Sequence, residues 1–186
     1  MPKIDVELAV FAWTPDIAGG KFVPAGLLNL SEVVGSSPQN RELSSRFMYG
    51  LGYLKRVTAF EVDPVSLSLE DKDAVRGQAL FPVNGLGEFG GIRDAAPDAW
   101  GRRVIEAQRK VPANTLSEAE YLLAAGGDRV GALDVRHTIK SPDSPCASHL
   151  HSLPYVMQAA EAVEQGVPVP ANLEAFLGAA PTAGGA

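Results

Sequence analysis

"IDVELAVFAW", residues 4–13, sets Ile4, Val6, Leu8 and Val10 against Asp5, Glu7 and Ala9. An apolar residue at every second position turns one side of an extended chain toward a core and the other toward water, so the stretch predicts a half-buried β-strand. Outward from it, Gly19-Gly20 marks a turn and "KFVPAGLL" (21–28) predicts a second strand. "ELSSRFMY" (42–49) predicts a third, and "LKRVTAFEV" (54–62) a fourth that halts at Asp63-Pro64. Short strands with glycine turns between them predict a small antiparallel sheet or partial barrel.

After about residue 93 the period changes. "APDAWGRRVIEAQRK" (96–110) puts Trp100, Val104, Ile105 and Gln108 on one helical side, with Pro97 suited to the first turn. Asp94 and Asp98 lie near its start, and Arg102, Arg103, Arg109 and Lys110 toward its end, an order that complements the helix dipole. Gly101 inside that helix costs about 1 kcal/mol relative to Ala, which predicts a close backbone contact there. "TLSEAEYLLAAGG" (115–127) predicts a second helix, with capping-box spacing in Thr115/Glu118 or Ser117/Glu120 and a stop at Gly126-Gly127. "RVGALDVR" (129–136) alternates as a strand. A third helix is predicted from about Leu153 to Gln165, capped by Ser152 and stopped by Gly166, and "ANLEAFLGAA" (171–180) predicts a short last one.

Strands followed by helices, with one more strand between helices, predict an α+β fold. The predicted division is a small β-rich subdomain over 1–70 and a helix-rich α/β segment over 71–186 that ends inside a Gly-rich loop. No internal repeat is present.

The 186 residues carry 16 Lys+Arg against 22 Asp+Glu, a net charge of −6. Proteins that bind nucleic acid by neutralising phosphates carry a basic stripe, so direct nucleic-acid binding is disfavoured. No apolar run reaches the roughly 18 residues of a membrane span, and "MPKIDVELAVFAW" lacks a secretory layout, so a cytoplasmic protein is expected. Cys146 is the single cysteine, which excludes an intrachain disulfide. Cys146, His149 and His151 have spacings a zinc site could use, but they sit in a Pro/Ser-rich stretch with no fourth ligand close in sequence. The reading there is a loop, with no metal.

Candidate chemistry is sparse. Asp94, Asp98 and Arg102 in "FGGIRDAAPDAWGRR" (89–103) could form an acid/base or phosphate constellation at a helix start, but no His, Cys or Ser nucleophile accompanies them. Helix entry with dipole-matched charges explains the same residues. In "GGDRVGA" (126–132) Gly127, Asp128, Arg129 and Gly131 could meet a ligand, yet a helix cap, a turn and a strand start account for each. The end, "PTAGGA" (181–186), has the glycines of a phosphate loop without its lysine or its helix. Residue patterns alone stop at a soluble α+β domain.

Three stretches nevertheless carry a resemblance: "YLKRVTAFEVDPVSLSL" (53–69), "FGGIRDAAPDAWGRRVIE" (89–106) and "LSEAEYLLAAGGDRVGALDV" (116–135). In these the chain resembles the N-terminal part of the HipA family of serine/threonine kinases, the toxins of type II toxin–antitoxin pairs. The resemblance implies a β-rich N-terminal subdomain ended by the DP-x-SL stretch, then part of a kinase-like N-lobe. It also implies that "PTAGGA" begins a nucleotide-associated loop, with Thr182 at the family's Ser/Thr autophosphorylation position and Gly184 and Gly185 as partial phosphate contacts. The family's ATP- and magnesium-binding and catalytic residues have no counterpart in this sequence. No catalytic residue is therefore assigned, no bound ATP or Mg is expected, and phosphorylation by this chain alone is not expected. A chain interrupted in that loop is expected to self-associate or to be disordered over 178–186. The implied partners are a HipB-like DNA-binding antitoxin or a HipA-like kinase core. A stand-alone docking module is the alternative reading.

Overall fold

Strand alternation produces the first three elements: β1 (Lys3–Thr14), β2 (Lys21–Val34) and β3 (Arg41–Tyr49). The computed structural model describes residues 3–16, 19–35, 41–126, 131–143 and 153–174. One-turn helices α1 (Leu51–Leu54) and α2 (Gly90–Asp94) follow, then α3 (Ala99–Arg109) and α4 (Glu118–Ala124). Strand β4 (Leu133–Arg136) and helix α5 (Leu153–Glu164) complete the described elements. The strands form one antiparallel sheet in the order β3-β2-β1-β4, so the fold is α+β.

The chain forms two compact units, one from residues 1–95 with 131–144, the other from 96–130 with 145–186. In the first, the opening half of β1 does not bury its predicted apolar side, since Ile4 is exposed and Val6 only half-buried, and burial on both faces begins at Leu8 and runs to Ala12. The register shifts between Val10, opposite Gly26, and Phe11, opposite Pro24. Pro24 has no N–H to give a ladder, and a bulge is where a strand interior tolerates that loss. On the inner face Phe47 meets Tyr49 edge-on at 4.9 Å and Phe89 at 6.2 Å, while Tyr49 stacks on Tyr53 at 5.9 Å.

The fourth predicted strand, over 54–62, does not form. Its backbone is held by side chains instead of a ladder. The Tyr53 hydroxyl donates to the Phe60 carbonyl at 2.9 Å and accepts from the Phe60 amide at 3.0 Å. The Tyr49 hydroxyl donates to Leu67 O at 2.7 Å and accepts from Val62 N at 3.1 Å. Asp63, buried at the DP step, accepts from Ser66 N and from Gly91 N across 28 positions of sequence. Gly91 has to be glycine, because a Cβ there would lie 2.1 Å from the Val62 carbonyl oxygen.

β4 shows a second departure from simple alternation: all four of its residues are buried. The Arg136 guanidinium lies 3.9 Å from the Phe11 ring centroid, its Nε donates to Asp134 at 2.7 Å and one Nη to the Ser141 carbonyl at 3.3 Å. Its other Nη is 2.9 Å from Asp143 but off the line of a hydrogen bond. Stacking and pairing make burial of this charge tolerable.

In the second unit Val104 packs with Ala159, Val163 and Leu173, and Ile105 packs with Leu116 and Tyr121. Gln108, predicted on the apolar side of α3, is exposed. Pro97 precedes the N-cap rather than sitting in the first turn, and Asp98 caps the helix by accepting from Gly101 N at 2.7 Å. Of the two capping boxes open in the sequence, Ser117 with Glu120 forms. Ser152 and residues 175–180 of the predicted last helix lie outside the described residues.

Candidate functional site

Two of the polar residues singled out in the sequence, Asp98 and Arg102, hold the local structure. Arg102 donates two hydrogen bonds to the Glu118 carboxylate, at 2.8 and 2.7 Å, and lies 4.4 Å above the Tyr121 ring. Asp98 is a cap, and Asp94 pairs with Arg93 on the surface at 3.7 Å. His137 is exposed just past β4, and Gly131 has φ of 115°. Thr182, Gly184, Gly185, Gly127, Asp128, Arg129, Cys146, His149 and His151 lie outside the described residues. Among the described residues no group of three His, Cys, Asp or Glu could hold a metal ion, and no helix is long and apolar enough to cross a membrane.

Three surface depressions remain as candidates. One, of about 630 Å³, lies on the polar face of the first three strands, where the side chains satisfy each other. There the Ser31 hydroxyl donates to Asp5 at 2.6 Å and Lys3 pairs with Asp5 at 3.0 Å. The hydroxyl first, and Lys3 after it, hold the Asp5 carboxyl below its ordinary value. Another, of about 790 Å³, borders α3 and α5, with Lys110 paired to Glu174 at 2.9 Å. Glu106 on its wall accepts from the Asn114 amide at 2.5 Å and from the Tyr121 hydroxyl. In both depressions much of the polar lining is engaged in these contacts.

The third differs in kind. It is a groove of about 510 Å³ built by β2, the end of β3 and α1. Leu27 and Met48 are cross-strand partners and so share a face, and Gly50 breaks β3 while its amide donates to Ala25 O at 2.8 Å. α1 then adds Leu51 and Tyr53 to the lining, and Ile139, beyond β4, adds another apolar group. Met48 is 40% exposed, Leu51 52% and Ile139 56%, so the apolar lining faces solvent. Arg56 is the one charged residue in that lining.

A patch of this kind can recognise an apolar ligand or partner by burial, and it offers no nucleophile or acid/base pair. Sequence reasoning missed it because its lining comes from separate stretches of the chain, from Pro24 to Ile139. The usable signal was "YGLGY" (49–53), two glycines set among three large side chains where a strand would need bulk. No protein-family model, curated protein or solved structure matches this chain.

Proposed function

We propose that this chain is the N-terminal, regulatory part of a HipA-like serine/threonine kinase toxin, working in the cytoplasm by protein docking and not by phosphoryl transfer. The carrying observation is the solvent-facing apolar groove with a single cation in its lining. Supporting it, the polar residues of the resemblance stretches, Tyr53, Asp63, Asp98, Arg102 and Glu106 among them, hold backbone or other side chains. Phosphoryl transfer needs a positioned lysine, metal-binding carboxylates and a base around a nucleotide, and those parts, with ATP and Mg, would belong to a kinase core. That core, or a HipB-like antitoxin, is the partner inferred.

Calorimetric titration with Mg-ATP, followed by titration with a purified HipA-like kinase core, tests the reading. No heat with nucleotide and saturable 1:1 binding to the core are expected. Specific nucleotide affinity, phosphorylation by this chain alone, or no binding to the core would each count against it. The same measurements serve the second reading, an independent docking module, which the groove supports equally.

A further inference from the structure

Strand β1 outruns its partner on one side. It pairs with β2 along its whole length, from Lys3 opposite Val33 to Thr14 opposite Lys21, but with β4 only from Ala9 to Ala12. We propose that the uncovered edge, Lys3 to Glu7, pairs antiparallel with the same edge of a second copy of this chain, about a two-fold axis at Asp5. The pairing is independent of the docking reading above.

The backbone groups needed for a ladder face the right way. The Trp13 amide donates to the Ala132 carbonyl at 2.7 Å, on the side of β4. Backbone groups along a strand alternate between its two sides, so the amides and carbonyls of Lys3, Asp5 and Glu7 face the same side as that of Trp13. Among the described residues no strand pairs with them there. The β3 edge of the sheet is treated differently. Phe47 exchanges both backbone hydrogen bonds with Leu80, at 2.9 and 2.8 Å, and the Ser45 hydroxyl donates to Gly87 O at 2.8 Å. A strand edge without such cover is a template for another strand.

The apolar side of β1 loses its cover at the same place. Leu8 and Val10 are buried, but Ile4 is 39% exposed and Val6 only half-buried. Their cross-strand partners on β2, Glu32 and Leu30, are both buried, so it is the open side of β1 that leaves Ile4 and Val6 in water. A strand laid against that edge would extend the buried row of Leu8 and Val10 to both.

Charge selects the second copy and the register. Pairing about Asp5 sets Lys3 opposite the partner's Glu7, and Glu7 opposite the partner's Lys3, on one face. On the other face it sets Ile4 against the partner's Val6, and Val6 against the partner's Ile4. Opposite charges and apolar pairs across a ladder both stabilise it. Asp5 meets the partner's Asp5 at the axis, where its own Lys3 at 3.0 Å and the Ser31 hydroxyl at 2.6 Å offset the like charge. An axis at Val6 would set Asp5 against Glu7 twice and run Lys3 into Ala9, which is already paired with Arg136. An axis at Ile4 would pair only Lys3 to Asp5 among the described residues and leave Val6 uncovered. A ladder this short gives a weak, reversible dimer.

Sedimentation velocity on the full chain over a concentration series, with amide exchange followed by NMR, tests the pairing. A monomer–dimer equilibrium is expected. The amides of Lys3, Asp5 and Glu7 should gain protection as concentration rises, while those of Ile4 and Val6, which face β2, should not change. Lys3→Glu and Glu7→Lys should each weaken dimerisation at least about tenfold, since each turns two attractive pairs into repulsive ones. An equimolar mixture of the two variants should restore it as a heterodimer. Asp5→Pro removes an outward N–H and no bond to β2, so it should abolish the dimer while circular dichroism shows the monomer still folded. A monomer at every concentration, no restoration on mixing, or protection confined to other segments would each overturn the inference. Weakening by Lys3→Glu with none by Glu7→Lys would overturn the axis at Asp5.

Discussion

Tyr49 and Tyr53 show how single side chains replace a strand. Each hydroxyl both donates to and accepts from the backbone of the segment after α1, and both rings are buried. Tyr49→Phe keeps the ring but leaves Leu67 O and Val62 N without this partner. Unsatisfied buried groups cost about 1–3 kcal/mol each, so a loss of roughly 2–4 kcal/mol in urea unfolding is expected. Burial, the largest cause, pushes both phenols above their ordinary value near 10. A raised acid pKa in the folded state means that the unfolded chain loses its protons first. Stability contributed by these tyrosines is thus complete below about pH 10 and falls as pH rises above it. Spectrophotometric titration should find two phenols that resist ionisation until the protein unfolds. Tyr49→Phe should make the alkaline loss of stability shallower.

At the scale of elements, α3 and α4 are joined by polar contacts, among them one from Arg102, which the sequence offered only as a helix-end charge. Arg102 grips Glu118 with both arms of its guanidinium and lies over Tyr121. Arg102→Lys preserves the charge but loses the fork and the stacking, so a loss of about 1 kcal/mol is expected by thermal or urea unfolding. Glu106 is buried and joins α3 to the Asn114 amide and the Tyr121 hydroxyl. Glu106→Ala strands both donors, and a larger loss, about 2–3 kcal/mol, is expected in the same measurement. Helix starts and stops were legible because caps are local: Ser117 with Glu120 and Gly166 do what their spacing says. β1, β2 and β3 were legible from the alternation and the turn glycines between β1 and β2. The segment 54–62 was not, because Thr58, Phe60 and Val62 have strand-like spacing while its backbone is held by tyrosine hydroxyls. The groove was hidden because its lining is gathered from β2, the end of β3, α1, Gly77 and Ile139, which are far apart in sequence.

At the scale of the molecule, the first unit is discontinuous, and its sheet is completed only when the chain returns as β4. Local patterns revealed that strand but not its neighbour, and nothing in "LDVR" announced that Asp134 and Arg136 would both be buried. β4 pairs with Ala9 to Ala12, the stretch of β1 that is buried on both faces, and brings Leu133, Val135 and the Arg136 stack onto it. Residues 1–95 alone would leave that stretch as an apolar open edge, which favours aggregation over folding. A 1–95 fragment is therefore expected to show reduced strand signal in far-UV circular dichroism, strong binding of a hydrophobic dye and concentration-dependent association. A synthetic peptide of residues 131–144 should reverse all three, because it restores the ladder, the two apolar side chains and the buried Arg136–Asp134 pair together. Replacing Arg136 by Ala in that peptide should remove most of the rescue, since it leaves Asp134 buried without its cation. A 1–95 fragment that folds as a clean monomer without the peptide would show that β4 is an accessory to this sheet and not a condition for it.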